Sequence, residues 1–178
     1  MSFKKIPVGN NFPEDIYAII EISAFSNPIK YEMNKTYNEL FVDRFISSAM
    51  IYPCNYGYIN NTQSLDGDPL DILIPTPYPL LAPSVIQCRP VGILMMQDES
   101  GDDSKIIAVP HNNISQEYNS IQDIIDFPIL LKNQIQNFFE NYKNLEKNKW
   151  VKIIEWQNKK NAILEIKNSI KRYEKIKK

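Results

Sequence analysis

The spacing of apolar residues changes along this chain of 178 residues, and no other feature constrains the fold as strongly. Up to Pro110, apolar and polar positions alternate in short runs, which is typical of strands that bury one face. Prolines at positions 75, 77, 79 and 83 predict a long irregular connection within this part. The runs predicted as strands are 16–23, 29–33, 39–46, 84–96 and 105–110.

The final third of the chain has the spacing of helices instead. Pro128 suits the first turn of a helix, with Asp126 as its cap. This helix is predicted to end near Lys143, because apolar side chains recur at helical spacing before it: Leu131, Ile135, Phe138 and Tyr142. A strand at 150–156 follows. Asn158 is then predicted to open a C-terminal helix with its own apolar series: Ala162, Ile166, Ile170 and Tyr173.

Many short strands followed by two helices predict an α+β fold, in which helices flank a small β-barrel. A chain of this length can bury about 70% of the surface that its unfolded form exposes, which is enough for a real core. No repeat, low-complexity tract or linker divides the sequence. A single domain over residues 1–178 is therefore predicted.

Composition excludes several classes of protein. The formal net charge is −1, so no overall charge bias points to nucleic acid or a membrane surface as a partner. The N-terminus lacks the apolar region of a signal peptide, and no stretch approaches the length of a membrane span. These features predict a cytoplasmic protein that binds neither nucleic acid nor membrane.

The scarcity of histidine and cysteine restricts the chemistry. The chain has one histidine, His111, and two distant cysteines, Cys54 and Cys88, which are predicted to be packed thiols. Histidine-rich metal sites are excluded, and a Ser-His-Asp mechanism is disfavoured. The glycines form neither a Walker loop nor a GxGxxG motif. Any chemistry must therefore use carboxylates, lysines, arginines and tyrosines.

Two short stretches concentrate aspartate. The first is "SLDGDPLDI" (64–72), and the second is "DESGDDSK" (98–105). Taken alone, the first stretch is interpreted as an aspartate-rich turn by about two to one, because Asp, Gly and Pro favour turns. A calcium loop of the EF-hand type does not fit, since Leu70 and Asp71 occupy its fifth and sixth positions.

If the two acidic stretches meet in space, they form an all-oxygen site that suits magnesium or manganese. Phosphate is the usual substrate of such ions. Lys30, Arg44 and Lys143 could supply fixed positive charge, although each alone is more often a solvated surface residue. Tyr52 and Tyr56 could donate hydrogen bonds or could simply pack in the core.

The sequence "DGDPLDI" (66–72) resembles the signature Asp-x-Asp-Pro-hydrophobic-Asp-hydrophobic of the family I soluble inorganic pyrophosphatases. Further stretches are similar to the bacterial form and occur in that family's order, from about Pro7 to Trp156: "PIKYE", "LFVDRF", "YPCNYGYI", "PTPYPL", "CRPVG", "DESGDD", "AVPH" and "NFFENYKNLEKNKWVK". The resemblance implies a small closed β-barrel of OB type. It also implies magnesium-dependent hydrolysis of pyrophosphate to two orthophosphates by a metal-activated water.

The resemblance implies a role for each matching residue. Asp68 corresponds to the general base, and Glu21 to a carboxylate in the outer shell of the metals. The implied metal ligands are Asp66, Asp71, Asp98 and Asp103. The implied phosphate-binding residues are Lys30, Arg44, Tyr56, Lys105, Tyr142 and Lys143, and Glu32 and Tyr52 support them.

The family resemblance further implies several Mg²⁺ ions per site, with Mn²⁺ or Zn²⁺ as substitutes, and Ca²⁺ is expected to inhibit. It implies a homo-oligomer, a hexamer in bacterial relatives, although Asn137 and Asn141 replace histidines that several relatives carry. A magnesium-dependent nucleotide hydrolase, an OB-type nucleic-acid binder and a silent calcium-binding module are the alternatives. Balanced charge and paired acidic loops disfavour the nucleic-acid binder.

Overall fold

In the part of the chain that the structure describes, residues 3–34 and 36–176, the computed structural model has eight β-strands and two α-helices. The strands are β1 (Ile16–Ile22), β2 (Ile29–Asn34), β3 (Glu39–Phe45), β4 (Asn55–Ile59), β5 (Leu70–Ile74), β6 (Ser84–Asp98), β7 (Gly101–Pro110) and β8 (Val151–Asn158). The helices are α1 (Ile129–Asn141) and α2 (Lys159–Ile176). All six predicted strands and both predicted helices are confirmed, as is the irregular connection at 75–83.

Two strands, β4 and β5, were not predicted from the sequence. All five residues of β4 are buried, and so are four of the five in β5, so neither strand has the alternation that marks a half-buried strand. Gly57 in β4 lies against β1, and a Cβ built there would be 1.9 Å from the carbonyl oxygen of Ile19. This glycine is therefore required for the close approach of the two strands.

Six strands form one sheet in the order β1-β4-β5-β7-β6-β8, and β1 also pairs with β6. Five strands are thereby joined in a ring, in which only the pairing of β5 with β7 is parallel. The remaining strands, β2 and β3, form a separate antiparallel hairpin. The chain is thus α+β with a mostly sheet core and two helices, as predicted.

Both faces of the ring strands are buried. Leu73 and Ile107 belong to a hydrophobic cluster that includes Phe138 and Phe139 of α1. Their chain neighbours Ile72, Ile74, Ile106 and Ala108 belong to a second cluster, which includes Ala162 and Ile166 of α2. The two helices therefore pack against different clusters of the core, and strand residues alternate between these clusters. Cys54 and Cys88 are buried free thiols, as predicted.

The ends of the helices test two predicted caps. Asn158 caps α2, because its Oδ1 accepts a hydrogen bond of 3.1 Å from the backbone N–H of Asn161. The prediction that Asp126 caps the first helix is wrong. Its Oδ2 accepts instead from the backbone N–H groups of Gln122 and Asp123, and no side chain caps α1. Neither described helix is long and apolar enough to cross a membrane.

Candidate active site

A cavity of about 590 Å³ brings together every residue that was predicted for the site. These residues are Glu21, Lys30, Glu32, Arg44, Tyr52, Tyr56, Asp66, Asp68, Asp71, Asp98, Asp103, Lys105, Tyr142 and Lys143. They come from seven strands, β1 to β7, from the loops before β4 and β5 and from the turn after α1. Their individual roles in binding and chemistry stay predictions.

The loop that precedes β5 presents the first acidic group. Gly67 has a φ of +95°, a conformation that favours glycine, and the backbone N–H of Asp68 donates to Asp66 Oδ1 at 3.0 Å. The backbone N–H of Ser64 donates to the carbonyl oxygen of Asp68 at 2.7 Å. The loop is therefore a closed turn with two carboxylates at its tip, and Asp71 follows on β5.

The second acidic group lies where β6 turns into β7. Asp98 and Gly101 are register partners at the turn, and Asp103 faces Met96 across the pair of strands. The backbone N–H of Ser100 donates to Asp98 Oδ1 at 2.7 Å. The turn thus delivers Asp98 from one strand and Asp103 from the other to the same end of the hairpin.

Lys105 joins the two acidic groups. It is only 4% exposed, and its Nζ donates to Asp71 and, at 2.5 Å, to Asp103 Oδ1. Burial alone would lower the pKa of Lys105, but the charges of Asp103 and Asp71 outweigh burial and raise the pKa well above its usual value. The ammonium group is therefore charged, and it compensates two carboxylates that would otherwise repel each other.

Lys143 places a second buried positive charge beside the second acidic group, next to Asp98 and Glu99. It is buried, and its Nζ donates to Asp98 Oδ2 at 2.7 Å and to Glu99 Oε1 at 3.3 Å. Glu99 also accepts from Lys149 Nζ at 2.6 Å. Burial raises the pKa of Glu99, but the hydrogen bond from Lys149 and the charge of Lys143 lower it to about 2.

Glu99 is a cavity residue that the sequence analysis did not select. It stands inside the second acidic stretch, directly after Asp98, and this position was the only signal for it. What distinguishes it is its contact with Lys143 and Lys149, which lie 44 and 50 residues further along the chain.

The β2–β3 hairpin carries the other cationic side chains. Lys30 and Arg44 are direct partners in its register, next to a bulge, so their side chains leave the same end of the hairpin. Lys30 Nζ donates to Glu32, and Arg44 donates to Asp43 Oδ2 at 2.7 Å. Arg44 Nε also lies 3.5 Å from Glu146 Oε2, in the segment that follows α1. These carboxylates orient two positive charges along one wall of the cavity.

Three tyrosines form an apolar wall. Tyr52, Tyr56 and Tyr142 are buried, and the rings of Tyr52 and Tyr142 lie 4.5 and 5.0 Å from that of Phe138. Each therefore packs in the core, as the simpler interpretation held, and each also lines the cavity. Burial raises the pKa of all three hydroxyl groups, which consequently remain protonated hydrogen-bond donors.

Glu21 connects the hairpin to the ring. Its side chain is buried in β1, and its Oε1 accepts a hydrogen bond of 2.6 Å from the backbone N–H of Met33 in β2. Burial is the main cause that raises the pKa of Glu21, to about 8. Its position therefore supports the hairpin that carries Lys30 and Arg44.

The donor set fits a hard divalent cation. Eight carboxylate side chains and six cationic side chains line the cavity, and burial raises the pKa of both Asp66 and Asp103. All the acidic ligands are oxygen donors, which Mg²⁺ and Mn²⁺ prefer, and added positive charge would relieve their repulsion. Among residues 3–34 and 36–176, no three potential ligands already surround one point, and the ammonium group of Lys105 lies between Asp71 and Asp103.

The model of the family described as inorganic pyrophosphatase matches residues 18–174. The chain belongs to the inorganic pyrophosphatase family. It is 59% identical over 172 residues to the inorganic pyrophosphatase of Escherichia coli (strain K12), a match that covers 97% of this chain and 98% of that one. The prediction of an enzyme of this family is therefore confirmed.

Solved structures of the inorganic pyrophosphatase family have the same fold. The inorganic pyrophosphatase of Thermus thermophilus superposes with a TM-score of 0.92 at 41% identity, covering 98% of this chain and 99% of that one. An inorganic phosphatase of Anaplasma phagocytophilum gives a TM-score of 0.93 at 43% identity, covering 96% and 99%. The similarity thus includes α2, which lies beyond the stretches of sequence that resemble the family.

Proposed function

We propose that this chain hydrolyses inorganic pyrophosphate to two orthophosphates, in a magnesium-dependent reaction with water as the nucleophile. The observation that carries the proposal is the meeting of the two acidic stretches at Lys105, which binds Asp71 of one stretch and Asp103 of the other. Membership of the inorganic pyrophosphatase family supports the choice of substrate.

Magnesium would be held by Asp66, Asp71, Asp98 and Asp103, which line the cavity with Glu21 as a more distant carboxylate. When bound, the metal withdraws charge from phosphoryl oxygens and makes water more acidic. Manganese and zinc are proposed as substitutes, and calcium as an inhibitor. The excess of carboxylates over cationic side chains in the cavity supports the binding of such ions.

The cationic side chains bind the substrate. Pyrophosphate carries several negative charges, and Lys30, Arg44, Lys105 and Lys143 line the same cavity from two sides. The hydroxyl groups of Tyr56 and Tyr142 add neutral donors. Because these groups are fixed by burial and ion pairs, they stabilise the charge that develops on the leaving phosphate with little reorganisation. Glu32 and Tyr52 support Lys30 and the tyrosine wall.

Asp68 acts as the general base. The oxygen of the attacking water forms a bond to one phosphorus atom, and Asp68 accepts the proton that the water loses. The bond from that phosphorus to the bridging oxygen breaks, and the second phosphate leaves with the electron pair. The hydrogen bond from the backbone of Asp68 to Asp66 supports this role, because it holds Asp68 in the turn at the tip of the acidic loop.

Release of orthophosphate from pyrophosphate, measured with and without magnesium, tests the proposal. We expect turnover with magnesium to fall by about 10²- to 10⁴-fold in Asp68→Asn. Asp102→Asn is the matched control, because exposed Asp102 accepts a hydrogen bond of 2.7 Å from Gln97 and, in the part of the chain that the structure describes, is not among the residues that line the cavity. Absence of pyrophosphate hydrolysis in the unmodified protein would refute the proposal, and faster release from a nucleoside triphosphate would indicate a nucleotide hydrolase instead.

We also propose that the ring of five paired strands is a closed barrel of OB type. The pairing of β1 with both β4 and β6 supports this assignment. A cytoplasmic location and assembly as a homo-oligomer, a hexamer, are proposed on the resemblance to bacterial family members. Light scattering of the purified protein would measure the mass of the assembly, and a monomeric mass would refute the hexamer.

A further inference from the structure

The turn that carries Asp66 and Asp68 is held by two hydrogen bonds to α2. The backbone N–H of Gln63 donates to the carbonyl oxygen of Ser169 at 3.0 Å. Arg172 Nε donates to the carbonyl oxygen of Gln63 at 2.6 Å, across 109 residues of sequence. Both backbone groups of Gln63 are therefore bonded to the C-terminal helix.

Gln63 stands at the base of the acidic turn. Its side-chain Nε2 donates to the carbonyl oxygen of Gly67 at 3.3 Å, and the next residue, Ser64, bonds to Asp68 through the backbone. Thr62 Oγ1 accepts from the backbone N–H of Leu70 at 2.9 Å, which closes the other side of the loop. A displacement of Gln63 would consequently be transmitted to both aspartates at the tip.

Arg172 is itself held in place. Its guanidinium group forms an ion pair with Glu165, two turns earlier on α2, and both side chains are about one quarter exposed. Ser169 lies one turn before Arg172 and is fully buried. The guanidinium group is planar, and its contacts with the Glu165 carboxylate and the Gln63 carbonyl fix its orientation. Arg172 therefore holds Gln63 in a defined position relative to α2.

We propose that Arg172 is a positioning residue for the reaction, which sets the acidic turn at the correct distance from Asp71. Asp71 belongs to β5 and is fixed by the pairing of that strand with β4 and β7, whereas Asp66 and Asp68 depend on the loop. The inference rests on the proposed function, because only a reaction that uses both sets of carboxylates makes their spacing matter.

Replacement of Arg172 should weaken magnesium binding and slow turnover together. Residues that orient metal ligands typically change metal affinity or activity by about 10- to 100-fold when they are replaced, and we expect this range for Arg172→Ala. The KM for pyrophosphate at saturating magnesium should change much less, because Lys30 and Arg44 come from the β2–β3 hairpin. Arg172→Lys, which can still donate to Gln63, should recover part of the loss.

Three measurements on the purified full chain test the inference. Titration calorimetry gives the affinity for magnesium alone, hydrogen exchange reports the opening of the amides of Gly67 and Asp68, and kinetics separate kcat from KM. Lys171→Ala is the matched control, since it removes an exposed positive charge from the neighbouring position of the same helix. If Arg172→Ala does not fold, Glu165→Gln, which keeps the arginine and removes its ion pair, takes its place with a smaller expected effect.

The inference is supported if magnesium affinity and kcat fall, and the two amides exchange faster, in Arg172→Ala but not in Lys171→Ala. It is overturned if the two variants agree in all three measurements, or if Arg172→Ala loses only thermal stability. An unmodified protein that does not hydrolyse pyrophosphate refutes the proposed function, while magnesium affinity and hydrogen exchange still decide whether Arg172 positions the turn.

Discussion

Asp71 and Lys105 are register partners in the parallel pairing of β5 with β7. Asp103 lies two residues before Lys105 on β7 and therefore points to the same face. The ammonium group of Lys105 consequently bonds to both carboxylates, although Asp71 and Asp103 are 32 residues apart in the sequence. The register of one strand pair thus joins the two halves of the site.

Lys105→Met should destabilise the metal-free protein. The variant keeps most of the volume of the side chain but leaves Asp71 and Asp103 without their shared partner, and breaking a buried pair typically costs about 3–5 kcal/mol. Urea denaturation with a chelator present measures the free energy of unfolding. Exposed Lys152→Met is the control and should change it little. Equal stability of the two variants would contradict this account of Lys105.

Gly67→Ala should cost about 1–2 kcal/mol of stability, because a φ of +95° is unfavourable for alanine while open space surrounds the added methyl group. Gly57→Ala should cost much more, since its Cβ would overlap the backbone of Ile19. Chemical denaturation of both variants measures the difference. A larger loss at Gly67 than at Gly57 would contradict the prediction that steric overlap at Gly57 costs more than the backbone conformation at Gly67.

Cys54 and Cys88 should resist alkylation in the native protein. Burial raises the pKa of both thiols above the ordinary value, so the reactive thiolate stays scarce as the pH rises through the range in which an exposed cysteine ionises, about pH 8–9. Mass spectrometry after treatment with iodoacetamide counts the modified thiols. Both cysteines should react in urea, and rapid modification of the folded protein near pH 9 would contradict their burial.

Calcium should inhibit hydrolysis of pyrophosphate at a fixed concentration of magnesium. Calcium takes more ligands at longer distances than magnesium, about 2.3–2.6 Å against 2.0–2.1 Å, and it would displace the carboxylates from the spacing that the reaction needs. Initial rates with increasing calcium chloride measure the effect, and sodium chloride at equal ionic strength is the control. Full activity with calcium as the sole divalent ion would contradict the prediction.

Alternation and helical spacing predicted six strands and both helices, because apolar residues recur in these segments with the period of a strand or of a helix. Buried positions through most of β4 and β5 removed that signal, although β5 carries Asp71. Glu99 and Arg172 were missed for another reason. Their partners, Lys143 and Gln63, are 44 and 109 residues away, and no local spacing indicates such contacts.

The sequence by itself determined which side chains are available for chemistry, the tight turn around Gly67 and the family to which the chain is similar. These properties depend on residues close together in the chain, whose spacing can be read directly. Only the tertiary structure decided that Lys105 lies between Asp71 and Asp103 and that α2 holds the acidic turn. Both arrangements depend on strand register and helix packing, which result from burial of the whole core rather than from any short segment.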